Sequence, residues 1–176
     1  MIVPHLQESN PQPSLELLQT VKGYLEPRRL LTTQVHVVGP RYLRIGVQFT
    51  LVLQPDALED QVRSQAIAAL QQFFHPLQGG PEGKGWPFGR NVYVSEIYEL
   101  LDTQPGVDYV KKTEDLDELT TNEPLRLKRQ PNIQGELQLV GVEIQPDELV
   151  DAQINPGDIT LITPVKTLIT GARSGE

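Results

Sequence analysis

Between Leu43 and Gln54 the chain alternates strictly. Leu43, Ile45, Val47, Phe49, Leu51 and Leu53 fall on one side, and Arg44, Gly46, Gln48, Thr50, Val52 and Gln54 on the other. A two-residue period held this long specifies a half-buried strand, because successive side chains of a strand point to opposite faces. A shorter run, Thr33 to Val38, sets Val35 and Val37 against Gln34 and His36 and stops at Gly39-Pro40. The two runs are expected to pair antiparallel around that break.

A strand with one apolar face needs a cover, and the next segment supplies it. After Pro55-Asp56, a helix is expected from about Ala57 to Phe74. Leu58, Val62, Ala66, Ala69, Leu70, Phe73 and Leu77 form its apolar side, with Glu59, Asp60, Arg63, Ser64, Gln71 and Gln72 opposite. Fully burying each large apolar side chain contributes about 1.5–3 kcal/mol, so this face is a main source of stability. A second helix is expected near Ser95 to Leu101, with Ser95 as its cap, and an earlier one from Leu15, capped by Ser14 and stopped before Pro27. Val107 to Val110 reads as a strand. Glu136 to Ile144 and Ile159 to Thr163 read as closing strands.

Polar and breaker residues set the boundaries. Residues 1–13 carry Pro4, Pro11 and Pro13 and read as an extended tail. Residues 14–113 form the main domain. Residues 114–135, dense in Glu, Asp, Arg and Lys, read as a charged, solvated arm. Residues 136–176 hold the closing strands and a C-terminal tail. The element order is that of an α+β fold, a small mixed or antiparallel sheet with helices mainly on one face and extended terminal and internal arms.

Charge and composition exclude several function classes. The chain has 15 basic and 23 acidic residues, a net of −8, which repels phosphate backbones and argues against a nucleic-acid partner. It has no cysteine, so disulfides, thiol catalysis and Cys-ligated zinc are excluded. No apolar run is long enough for a membrane span, and the N-terminus lacks the pattern of a signal peptide, so a cytoplasmic protein without direct membrane insertion is expected.

Residues 76–90 contain five glycines and three prolines in fifteen positions, together with Trp86 and Phe88. This composition forbids regular structure. A loop of this length is usually functional or disordered, and its large aromatic residues argue for order. The phosphate-loop reading fails on spacing: three residues separate Gly79 from Gly83-Lys84 where the motif needs four, and Gly85 follows the lysine where Ser or Thr would bind magnesium. His5, His36 and His75 lie too far apart in sequence for metal-ligand spacing, and read as surface or capping residues. The acidic residues Asp56, Glu59 and Asp60 are explained by a helix N-terminus. No cofactor, metal or catalytic residue is expected. Trp86, the sole tryptophan, has two open readings: a plug for the domain's own core, or an anchor for another subunit. Tyr93, Tyr98 and Tyr109 have the same two readings.

The order Phe74-His75-Pro76-Leu77, Gly79-Gly80, Gly83-Lys84-Gly85-Trp86-Pro87-Phe88-Gly89-Arg90, Val92-Tyr93-Val94-Ser95-Glu96-Ile97-Tyr98 and Pro105-Gly106-Val107-Asp108-Tyr109-Val110 closely resembles the baseplate J-like family. These are wedge proteins of contractile phage tails and related injection systems. Upstream, Arg29-Leu30-Leu31-Thr32-Thr33 and Val38-Gly39-Pro40-Arg41-Tyr42 also look like that family. Residues 25–113 carry the resemblance, with weaker matches at Ile144 to Leu149 and Gly157 to Ile159. The resemblance implies a structural protein without enzymatic activity. Its implied partners are other wedge subunits, hub or spike and sheath proteins, in a hetero-oligomeric ring within a phage tail-like particle or virion. Trp86, Phe88, Arg90, Tyr93, Tyr98, Arg28 and Arg29 are the candidate interface residues. A stand-alone protein-binding module with a J-like domain is the alternative. A hydrolase using exposed carboxylates is a third reading, which no residue spacing supports.

Overall fold

In the computed structural model the alternating run lies at the centre of the sheet. The structure describes residues 1–6, 8, 10–112 and 117–164. The run forms two strands, β1 (Arg41–Val47) and β2 (Phe49–Leu53). Leu43, Ile45, Val47, Phe49, Leu51 and Leu53 are all buried, at most 4% exposed.

The break at Gln48 comes from the neighbours. On one side β1 pairs antiparallel with β5 (Leu119–Thr121), and β2 pairs antiparallel with β4 (Val107–Lys111). On the other, β1 runs parallel to β8 (Glu148–Gln153), and β2 parallel to β9 (Ile159–Ile162). Both flanking chains leave the sheet opposite Gln48, between β4 and β5 and between β8 and β9. The Gln48 amide still donates to the Glu118 carbonyl at 2.9 Å, so it is not orphaned. A third, antiparallel sheet joins β3 (Val92–Tyr93), β7 (Leu137–Val142) and β6 (Leu127–Pro131) in the order β3-β7-β6. The fold is α+β with a mixed sheet, as the sequence implies.

Two helices cover the apolar face. α2 (Glu59–Phe74) buries Val62, Ala66, Leu70 and Phe74 and packs over β8 and β9. α3 (Val94–Asp102) buries Val94, Ile97 and Leu101 against β4 and β7. The Asp102 carboxylate accepts the Val110 amide at 2.7 Å and ties the end of α3 to β4. These side chains and the strand residues form one core cluster.

Several expectations are corrected. Residues 33–38 form no strand, because both edges of β1 are taken by β5 and β8. Leu58 precedes α2 and is 69% exposed, and Ser95 lies inside α3, where no side chain makes the N-cap bond. The charged segment is largely folded. Past residue 116 it supplies β5, a 3-10 turn (Pro124–Arg126) and β6. Its charges are paired: Arg126 with Glu123 and Glu148 (3.0 and 3.3 Å), Lys128 with Glu143 (3.5 Å) and Arg129 with Asp117. Glu114, Asp115 and the tail beyond Pro164 lie outside the described residues.

The N-terminal residues are held at intervals. The Ile2 amide donates to the Val38 carbonyl, the Gln12 side chain to Pro40 and the Tyr42 hydroxyl to Pro11 (3.0, 3.2 and 3.0 Å). Between these ties the chain makes an excursion that carries α1 (Leu15–Leu25). Ser14 caps α1, its hydroxyl accepting the Leu17 amide at 3.1 Å, and no residue of α1 is buried. Among the described residues, no helix is long and apolar enough to cross a membrane.

Candidate functional site: the glycine-rich loop and its rim

The loop starts where α2 ends. His75 leaves helical geometry at ψ 125°, and its Nδ1 accepts the amides of Leu77 and Gln78 at 3.1 and 3.2 Å. Its carbonyl accepts the amides of Gly79 (2.8 Å) and Trp86 (3.3 Å). Gly80 donates to the Phe73 carbonyl (2.7 Å) and Gly85 to that of Gly79 (2.8 Å). The loop amides that a phosphate would need are therefore engaged within the loop and by the end of α2.

Glycine is required where the turns close. Gly85 has φ +102°, and a Cβ there would lie 2.5 Å from the Pro76 carbonyl oxygen. Gly89 has φ +69°, a Cβ would lie 2.8 Å from Pro146 Cα, and its amide donates to the Glu148 carbonyl at 3.0 Å. The loop is thus joined both to α2 and to the start of β8.

Trp86 is 3% exposed. Its ring meets Phe73 edge-on (5.4 Å between centroids, 75°) and Phe74 at a tilt (5.3 Å, 42°). Its Nε1 donates to the Arg90 carbonyl at 3.2 Å, and the Arg90 guanidinium lies 4.8 Å from the ring centroid. Arg90 then forks onto the Glu96 carboxylate of α3 with two hydrogen bonds, one of 3.0 Å. That hydrogen bonding raises the guanidinium pKa further above its ordinary value. Of the two readings of Trp86, its burial fits the plug for the domain's own core, and Arg90 links it to α3.

The other candidates occupy different places. Phe88 is 38% exposed on the loop, and Tyr93 is 41% exposed. Tyr93 and Tyr98 line one groove beside β7, with a volume of about 500 Å³. The Tyr98 hydroxyl donates to the Glu118 carboxylate at 3.0 Å, and its ring meets Phe49 edge-on at 5.4 Å. Burial first, then the Glu118 charge, pushes the phenol pKa up. Arg28 and Arg29 follow α1 and are engaged locally. Arg28 lies over the Tyr24 ring at 3.9 Å, and Arg29 pairs with Glu26 at 2.7 Å. Among the described residues, they share no bond or ring contact with the Trp86 cluster.

Sequence reasoning named neither Glu96 nor Glu148 as a partner of the loop. Glu148 is 2% exposed and receives Arg41 (3.2 Å), Arg126 (3.3 Å) and the Gln145 amide (2.9 Å). It fastens β1, β8 and the charged segment at the point where Gly89 docks. A carboxylate in a short polar stretch carries no sequence signal for such a role. Among the described residues, no group of three or more His, Asp or Glu is placed to hold a metal ion.

A scan against protein-family models gives no match, and a search of curated proteins gives none either.

Proposed function

We propose that this chain is a structural wedge component of the baseplate of a contractile, tail-like injection particle. In this reading it assembles around the hub with other wedge subunits and helps couple a change in the baseplate to sheath contraction. It works in the cytoplasm, where the particle is built, and catalyses no reaction. The reading starts from the residue order between Phe74 and Val110, which resembles the baseplate J-like family.

The observation that carries it is the state of the glycine-rich loop. A segment with five glycines in fifteen residues is fixed at α2, α3 and β8, while Phe88 faces outward. A wedge must transmit displacement, and a fixed loop with an exposed aromatic rim suits that role. The apolar residues left exposed along the N-terminal excursion, Leu15, Tyr24, Leu30 and Leu31, suit further contacts made on assembly.

The test is sedimentation of the tagged chain from cells that produce it, with identification of the co-sedimenting proteins. The reading predicts a large particle containing sheath, tube and spike proteins. A chain that stays small while those proteins sediment without it overturns the reading.

A further inference from the structure

We propose that the α1 excursion of one copy of this chain seats in the groove between α2 and α3 of a second copy, with Lys22 facing Glu99. The inference does not rest on the wedge reading, because both halves of the contact belong to this chain.

α1 is formed by local signals. It has Ser14 as its cap, Glu16 in its first turn and Lys22 in its last. Yet it has only 11 residues and none is buried. Helices of that length are marginal alone in water, so a packing partner is required. Leu15, Leu18, Lys22 and Leu25 are spaced three, four and three residues apart, which places them on one helix face. Leu15 is 71% exposed and Lys22 is exposed, while Leu18 and Leu25 are half-buried. The ties of Ile2 to Val38 and of Tyr42 to Pro11 hold the base of the excursion against the domain.

The groove has a volume of about 590 Å³. Ala69, Phe73 and Leu100 form its apolar part, and Glu96 and Glu99 supply negative charge. Glu96 is committed to Arg90. Glu99 makes no side-chain ion pair or hydrogen bond among the described residues, and neither does Lys22. The contact thus sets an apolar helix face with one free cation against an apolar groove with one free carboxylate. This is the helix-in-groove mode of recognition. Residues 1–40 hold three basic and three acidic residues, whereas the whole chain has a net charge of −8. The excursion is therefore the part of the chain least repelled by the body of another copy. Because the two surfaces differ, the contact builds swapped pairs or rings.

The test is sedimentation velocity of the purified full chain across a concentration series, with Lys22→Glu, Glu99→Lys and the double variant. Both positions are exposed, and circular dichroism melts confirm that all four proteins are folded. The proposal predicts reversible self-association, weakened at least about tenfold by either single reversal, since a like-charge contact at an interface costs several kcal/mol. The double variant should return to within about threefold of the parent. A monomer at every concentration, single variants without effect, or a double variant without rescue each overturn it. So does an excursion that is covered only by a different protein. A chain that self-associates in isolation yet stays out of sheath-containing particles supports this contact and removes the wedge reading.

Discussion

Replacing Trp86 with alanine tests whether the loop belongs to the core. The indole is 3% exposed and lies between the rings of Phe73 and Phe74 and the Arg90 guanidinium. Truncating a buried Trp to Ala costs about 3–5 kcal/mol in transfer and cavity energy. That range already includes much of the ring contact, worth about 0.5–1.5 kcal/mol. The lost bond to the Arg90 carbonyl contributes about 1 kcal/mol more. Against a total stability of about 5–15 kcal/mol the loss is large, and it lowers Tm by roughly 8–24 °C. Urea unfolding followed by circular dichroism measures it without depending on the fluorophore that is removed. Trp86→Phe keeps a ring and loses the N–H donor, so it should cost about 1–2 kcal/mol. A loss below about 1 kcal/mol for Trp86→Ala, with unchanged m, would show that the loop contributes nothing to the core and would refute the reasoning.

Further outcomes follow from the same contacts. Gly85→Ala should destabilise by about 1–3 kcal/mol in the same urea assay, because it combines φ +102° with a backbone clash; Gly83→Ala, with open space around it, should cost less. Glu148→Ala should cost about 3 kcal/mol, since it leaves the largely buried Arg126 with only the exposed Glu123 as an ion-pair partner. Burial, reinforced by Asp151, pushes the Tyr42 phenol up to about 12. The folded chain then keeps a proton that the unfolded chain loses near pH 10, so stability falls between about pH 10 and 12, and Tyr42→Phe removes its share of that slope in alkaline urea titrations, leaving the share of Tyr98, whose phenol is also pushed up. Phe88→Ser should change stability by less than about 0.5 kcal/mol. Under the wedge reading it should still reduce incorporation into particles, read by sedimentation; full incorporation would count against Phe88 as a contact.

The parts of the fold that were legible in the sequence are those where one side chain decides one face. Period two marked six of the seven buried positions from Leu43 to Leu53, missing Val52 on the opposite face, and period 3.6 marked Val62, Ala66 and Leu70 of α2. The division at Gln48 was not legible, because it is imposed by neighbours remote in sequence. β8 was missed for a related reason. Glu148 and Asp151 are buried on it, against the usual polar-out pattern, because Arg41, Arg44 and Arg126 approach them from other elements. The charged segment misled in the same way: charge density suggested solvation, but cross-strand pairing and ion pairs fold it. At the loop, the aromatic content implied order, and Trp86 supplies it. Phe88 was expected to help and instead faces outward. The choice between core and interface for Trp86 could not be made from composition, since both roles use the same residue.

The central claim is that the glycine-rich loop is a fixed part of the domain. Native-state hydrogen exchange at Gly79, Gly80, Gly85 and Trp86 tests it most directly, because these amides donate to the carbonyls of His75, Phe73, Gly79 and His75. The account predicts protection approaching that of the core strand β2, lost only on global unfolding. Exchange of these amides at the rate of an open peptide, while β2 remains protected, would contradict it.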